Sequence, residues 1–157
     1  MLTTHPFDDD KLREECGVFG ICGAESAAAV VALGLHALQH RGQESAGIVA
    51  VDEIGRARVS RAMGLVSEGF EEAEMMDLKG PVSIGHTRYS TAGASAIENA
   101  QPILARVRHG HIALAHNGNL TNASQLRDEL EEKGSIFQTT VDSEIILHLM
   151  AQPPENG

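Results

Sequence analysis

A handful of side chains in this 157-residue chain have the types and spacing to do chemistry. Cys16 reads either as a small apolar residue or as a nucleophile, and the second role needs a base, oxyanion donors and a substrate anchor. Arg88 lies in a polar stretch and could hold a carboxylate through two parallel bonds. Asn117-Gly118 has the composition of a hairpin turn, yet a helical pattern follows it. Such a turn leaves N–H groups that, with the Asn117 amide, could hold an oxyanion; pattern alone favours an ordinary strand-to-helix turn. Asp142 stands at a helix start, where capping is the common role. His36 and His40 are spaced like metal ligands on a helix, but no supporting Cys or carboxylate follows, and a surface pair with His40 near the helix C-terminus is the plainer reading. His86 near Ser90-Thr91 could suggest a serine hydrolase, but no acid stands at a suggestive spacing. There is no P-loop, GxGxxG, HExxH or GxSxG. Gly17, Gly20 and Gly23 have the wrong spacing for a dinucleotide site and mark close packing on a strand.

These residues must be positioned by short elements. The run 17–22 is apolar and Gly-rich and predicts a buried strand. Residues 26–41 predict a helix with Ala27, Val30, Val31, Leu35 and Leu38 inward, Ser26 as N-cap and Gly42 as stop. Strands are predicted over 46–51 and 57–61, joined by a turn at 52–55. A short helix over 70–77 and a strand over 82–86 follow. Residues 87–102 predict a long loop, and loops of that length are often functional. A hairpin is predicted from 103–108 and 111–116 around His109-Gly110. Helices over 122–133 and 142–151 close the order, the second capped by Asp142 or Ser143 and followed by Pro153-Pro154. The pattern is α+β, with helices packed on antiparallel sheets.

Composition narrows the class. Twelve Lys and Arg against 22 Asp and Glu give a net charge of −10, which argues against a nucleic-acid footprint. No apolar run approaches the roughly 20 residues of a membrane span. Apolar residues make up 42% of the chain and aromatics 3%, so a core exists and is built mainly from Ala, Val, Leu and Ile. Two cysteines do not make a secreted disulfide scaffold; six strand steps separate Cys16 from Cys22 by roughly 20 Å, beyond disulfide reach, so both read as reduced thiols in a cytoplasmic protein. Residues 1–15 carry five acids and no apolar h-region, and read as a solvated tail or as a leader removed before Cys16.

Five segments taken in order are more specific than any one alone. They are Glu15-Cys16-Gly17-Val18-Phe19-Gly20, the run from Leu38 to Gly47, the run from Gly85 to Thr91, His116-Asn117-Gly118-Asn119-Leu120, and the run from Gly134 to Glu144. Together they resemble the glutaminase domain of the amidophosphoribosyltransferase family, a class II, N-terminal-nucleophile type of glutamine amidotransferase. The resemblance runs from about Cys16 to Met150. It implies a four-layer αββα sandwich, here incomplete at the C-terminus, spanning residues 16–157 after a 1–15 leader.

The resemblance also implies roles. Cys16, exposed as the first residue of the mature protein, is the nucleophile, and its own α-amine the base. Asn117 and Gly118 form the oxyanion hole. Arg88 holds the α-carboxylate of glutamine and Asp142 its α-ammonium. Tyr89 and Thr91 belong to a loop that orders over the substrate, and Arg41 supports the site near Cys16. In the family a phosphoribosyltransferase domain follows, binding phosphoribosyl pyrophosphate with Mg²⁺ and using the ammonia to make 5-phosphoribosylamine, the first step of de novo purine synthesis; that domain is not in this chain. No cofactor or metal is expected here, since two cysteines cannot supply the four ligands of an iron–sulfur cluster. Glutamine is the expected partner, and homo-oligomers are expected of the complete enzyme. Glucosamine-6-phosphate synthase shares several of these motifs, although Gln39–Glu44 and Phe137-Gln138-Thr139 favour the purine enzyme. An inactive fragment or binding module with an unprocessed N-terminus is the other reading. Missing sandwich strands would leave apolar faces exposed and stability poor.

Overall fold

The computed structural model describes residues 16–89 and 96–152. Its first element, strand β1 (Gly17–Cys22), leads into helix α1 (Ala27–Ala37), and β2 (Ser45–Val51) and β3 (Ala57–Met63) form a hairpin. Two short helices, α2 (Val66–Gly69) and α3 (Glu72–Asp77), precede β4 (Val82–Arg88). A second hairpin, β5 (Ile103–Val107) and β6 (Gly110–Leu114), is followed by α4 (Ala123–Glu132) and α5 (Ser143–Ala151).

The four strands β1, β4, β2 and β3 make one antiparallel sheet in that spatial order, and β5 and β6 make a second. Period-two alternation sorts the first sheet's residues onto two faces. Ala46, Ile48 and Ala50 of β2 face α1, where they join Ala28, Val31 and Leu35 in the core. Ala, Val and Leu suffice here because helix and sheet approach closely. A β-carbon on Gly34 would sit 2.6 Å from the Phe19 ring, and one on Gly85 would sit 2.5 Å from Val31. The opposite face carries Gly47, His86 and Arg88 toward the second half of the molecule, where α5 packs on β5 and β6. The result is the α+β, αββα layering: helix, four-stranded sheet, two-stranded sheet, helices.

Three departures from the sequence pattern have a clear local cause. Helix α1 ends at Ala37, and Gln39–Arg41 tightens into a 3₁₀ turn. Gly42 is not a left-handed stop: its φ is −157°, and a β-carbon there would lie 2.7 Å from the Thr87 carbonyl carbon. The glycine is demanded by close approach of two backbones. The helix expected over 70–77 begins at Glu72, because Phe70 and Glu71 are both extended, and a further short helix, Val66–Gly69, precedes it. Strand β4 continues to Arg88, two residues into the expected loop, because Ser45 and Ala46 pair with Arg88 and Thr87. Of that loop, residues 90–95, including Thr91 and Ser90, lie outside the described residues, and Ile97–Asn99 forms a 3₁₀ turn.

The caps also depart from expectation. Ser26 and Asp142 stand at N-cap positions, but neither side chain caps its helix. Asp142 has helical dihedrals and turns its carboxylate elsewhere. His36 and His40 fall on either side of the end of α1, so they do not share a helix face. Cys16 and Cys22 are both free.

Where the two halves meet, Gly47 lies against the backbone of Gln101. A β-carbon on it would lie 2.3 Å from the Gln101 carbonyl oxygen, a backbone atom that cannot swing away. Gly47→Ala is therefore expected to cost about 1–3 kcal/mol, read as a lowered urea midpoint at unchanged slope. An unchanged midpoint would contradict this packing.

Candidate active site

Cys16 sits at the lip of a cleft of about 510 Å³ that runs between the end of β4, the segment after β6 and the start of α5. Its backbone has φ +86°, unusual for a side chain with a β-carbon. Such a conformation persists only where the surroundings fix it, and here several bonds do. The Cys16 N–H donates to the Arg41 carbonyl at 2.8 Å, and the Arg41 Nε donates back to the Cys16 carbonyl at 2.8 Å. The Asn117 side-chain Nδ2 donates to the same carbonyl at 3.0 Å. The Tyr89 N–H points at Cys16 Sγ from 3.3 Å. The Tyr89 side chain is exposed and lines the cleft.

Each of these partners is delivered by an element described above. The 3₁₀ turn after α1 brings both the carbonyl and the guanidinium of Arg41 to Cys16. Strand β4 carries His86, Arg88 and Tyr89 past β1. The chain leaving β6 brings His116, Asn117 and Gly118. The Gln101 side chain fixes this last segment by accepting the His116 N–H at 2.7 Å. Gly118 has φ +144°, a conformation that favours glycine, and a β-carbon on it would crowd the His116 ring at 3.0 Å.

The far wall is the segment before α5. Glu144, buried, accepts from Gln138 N–H (2.9 Å), Thr139 N–H (2.7 Å) and Thr139 Oγ1 (2.8 Å). Asn99 accepts the Thr140 N–H at 3.0 Å and donates to Thr140 Oγ1 at 2.9 Å. Arg127 stacks on Phe137, 4.0 Å from the ring centroid, and its Nη2 donates to the Thr139 carbonyl at 3.0 Å. Thr140, Val141 and Asp142 are thereby presented to the cleft. The Asp142 carboxylate accepts the Leu120 N–H at 2.5 Å and no cation among the described residues pairs with it.

Opposite charges thus line one cleft. Arg88 Nη1 lies 3.7 Å from Glu44 Oε1, an electrostatic pair longer than a hydrogen bond, and both atoms are buried without a hydrogen-bond partner among the described residues. His86 is 1% exposed. Burial drives its pKa from 6.5 down to about 4; the Asn117 side chain and His116 backbone oppose the shift, and the Arg88 and His116 charges add to it. The ring is therefore neutral at neutral pH. Among the described residues no three His, Cys, Asp or Glu side chains group closely enough to hold a metal ion. A second cleft of about 480 Å³, between β5 and α5, contains no cysteine.

Of the residues singled out in the sequence, Cys16, Arg41, Arg88, Tyr89, Asn117, Gly118 and Asp142 come together; Thr91 lies outside the described residues. Sequence reasoning missed Glu44 as the partner of Arg88, and Gln101, Asn99 and Glu144 as the bonds that shape the walls. Gln101 and Asn99 fall in a stretch without periodicity, where no pattern marks them. Glu144 carries a signal only as a carboxylate in the first turn of an apolar helix.

Residues 86–157 match the family model described as a glutamine amidotransferase domain. The chain is 52% identical to amidophosphoribosyltransferase 3, chloroplastic, of Arabidopsis thaliana, over 95% of this chain and 28% of that protein. It is 51% identical to an amidophosphoribosyltransferase of Lacticaseibacillus casei, over 92% of this chain and 75% of that sequence. A solved structure described as the allosteric regulatory enzyme of purine biosynthesis superposes with a TM-score of 0.83 at 49% identity, over 89% of this chain and 30% of the other. The chain spans under a third of the length of the plant relative and of that structure.

The depressed His86 pKa has a stability consequence. The unfolded chain takes up the proton first, near pH 6.5, while the folded ring resists it down to about 4. Within that window the unfolded state binds more protons, so stability falls as pH falls. Relative to His86→Leu, the protein is expected to lose roughly 2 kcal/mol more between pH 7 and pH 4.5, measured by urea unfolding. Parallel losses in the two proteins would contradict a neutral buried ring.

Proposed function

The chain belongs to the amidophosphoribosyltransferase family, and from that premise we propose that it performs the glutaminase half-reaction, hydrolysing free glutamine to glutamate and ammonia through a thioester on Cys16. The observation that carries this reading is the charge arrangement around the cysteine. A free amino acid presents one carboxylate and one ammonium, and the cleft beside Cys16 is lined by one guanidinium, Arg88, and one carboxylate without a cation partner among the described residues, Asp142. A peptide glutamine carries neither charge and would leave both groups unpaired, a penalty that gives selectivity.

The steps follow from that pose. Cys16 Sγ attacks the side-chain amide carbon, and its proton passes by way of a base to the leaving nitrogen, which departs as ammonia. Water then attacks the thioester, releasing glutamate and restoring the thiol. The developing oxyanion is stabilised by the Asn117 Nδ2 and the Gly118 N–H. The base is the α-amine that removal of residues 1–15 would give Cys16; a group of that kind has a pKa near 8, suited to neutral pH, and no histidine base is required. The hydrogen bond from the Cys16 nitrogen to the Arg41 carbonyl supports this, because an amine there keeps a donor for the same acceptor. Tyr89 and Thr91 would form the loop over the substrate, and Arg41 steadies Cys16.

In the complete enzyme the ammonia would meet phosphoribosyl pyrophosphate in a phosphoribosyltransferase domain, yielding 5-phosphoribosylamine for purine synthesis; that domain and a second copy of the chain are the partners we assign. We assign Mg²⁺ to that other domain and no cofactor to the glutaminase half. The identity to amidophosphoribosyltransferases argues against a glucosamine-6-phosphate synthase. No helix among the described residues is long and apolar enough to cross a membrane, and two free cysteines support a reducing compartment, for which we take the cytoplasm.

Removing one charge from either anchor tests the pose. Arg88→Gln and Asp142→Asn are each expected to raise the KM for glutamine about 10- to 100-fold in an ammonia-release assay, the value of one charge-assisted bond. Unchanged KM values would sink the assignment.

A further inference from the structure

We propose that Glu44 is a positioning residue behind Arg88: it keeps the buried guanidinium in place and weakens its grip on a ligand carboxylate. The inference rests on the reading of Arg88 as the carboxylate anchor and deepens it.

The fold builds this pair deliberately. Glu44 directly precedes β2, and Arg88 ends β4, where it pairs with Ser45. The Glu44 backbone is held on both sides: its N–H donates to the Arg88 carbonyl at 3.0 Å, and its carbonyl accepts the Gly64 N–H at 2.7 Å. Glu44 Oε1 lies 3.7 Å from Arg88 Nη1, and the two side chains are 13% and 12% exposed. The pairs Arg56–Asp52, Arg58–Asp77 and Arg127–Glu131 differ, since each has a side chain more than half exposed, where water screens the charges. Arg88 lines the cleft and Glu44 does not, so the carboxylate stands behind the guanidinium and leaves the ligand's side of it open.

The pair is buried yet not closed. A guanidinium and a carboxylate that satisfy each other do so through short, often doubled, hydrogen bonds. Here Glu44 Oε1 and Arg88 Nη1 are both buried and neither has a hydrogen-bond partner among the described residues. Glu44 therefore supplies charge to Arg88 without occupying its donors, and its tethered backbone limits how far it can follow the guanidinium into the cleft.

The effect on binding has a definite sign. Without Glu44 the guanidinium would be a buried charge lacking a counter-charge, a costly state for the empty protein. A ligand carboxylate would then supply what is missing, and its binding would be more favourable than in the wild type. With Glu44 present, part of that attraction is already met, and two carboxylates beside one guanidinium also repel each other. Glu44 thus stabilises the empty site and lowers its affinity. It eases the departure of glutamate, which carries the same α-carboxylate as glutamine.

L-Glutamate is the probe, because it presents both α-groups and is not turned over; its binding is read by titration calorimetry. Glu44→Gln removes the charge at nearly unchanged shape and is expected to tighten glutamate binding about tenfold. Glu44→Asp draws the charge back and should tighten it about two- to threefold, and it carries the test alone if Glu44→Gln does not fold. The decarboxylated analogue of glutamine lacks the group that Arg88 would hold and should bind all three proteins within about twofold of one another. A merely structural role would loosen binding and would not separate the two ligands. Unchanged or weaker glutamate binding in the variants, or an equal gain for the decarboxylated analogue, would overturn the proposal. Ammonia release from glutamine by the wild type, measured alongside, separates this claim from the glutaminase reading. No release together with tighter glutamate binding in Glu44→Gln sinks that reading and leaves Glu44 its role. Release without tightening sinks the role of Glu44 alone. No glutamate binding by any of the proteins removes Arg88 as an anchor and the proposal with it.

Discussion

The two hydrogen bonds that Cys16 and Arg41 exchange hold the rest of the site in place. One runs from the Cys16 nitrogen to the Arg41 carbonyl and the other from the Arg41 guanidinium to the Cys16 carbonyl, both 2.8 Å. For them to form, α1 must stop at Ala37 and the chain must tighten into a 3₁₀ turn. Gly42 must then slide against the backbone of Thr87 and Arg88, closer than any β-carbon allows. That approach in turn needs β4 to run straight to Arg88. A left-handed cysteine, an early helix end, an extended glycine and a long strand are thus consequences of one constraint. The constraint delivers the Tyr89 amide and the Asn117 carboxamide to the sulfur and carbonyl of the same residue.

Electrostatics then gives this frame its chemistry. A guanidinium and a carboxylate on opposite walls suit a zwitterion. Glu44 beside Arg88 supplies a counter-charge at 3.7 Å, close enough to keep the guanidinium buried and too long for a hydrogen bond that a substrate carboxylate would have to break. His86 sits between the two walls without charge because burial outweighs every group that would protonate it.

Much of this was legible in the sequence. The periods of Ala46–Val51 and of 103–116 marked both hairpins, and five ordered segments around Cys16, Arg41, Arg88, Asn117 and Asp142 marked the cleft. What was not legible depends on contacts between segments distant in sequence. Gly42 looks like a helix stop because glycine commonly is one, and only the approach of Thr87 reveals its other use. Asp142 looks like a cap, but the Leu120 N–H, 22 residues away, draws its carboxylate across the cleft. Gln101 and Asn99 carry no periodic signal, since each bonds one backbone segment that folds against it.

The central claim is that Cys16 is an activated nucleophile in a pocket shaped for free glutamine. Intact mass, before and after incubation with an electrophile that mimics glutamine, followed by peptide mapping, tests it most directly. A species beginning at Cys16 that gains one adduct on Cys16, with glutamine protecting against the gain, is the predicted result. A full-length mass with Cys16 unmodified, or labelling of Cys22 at the same rate and without protection by glutamine, would contradict it.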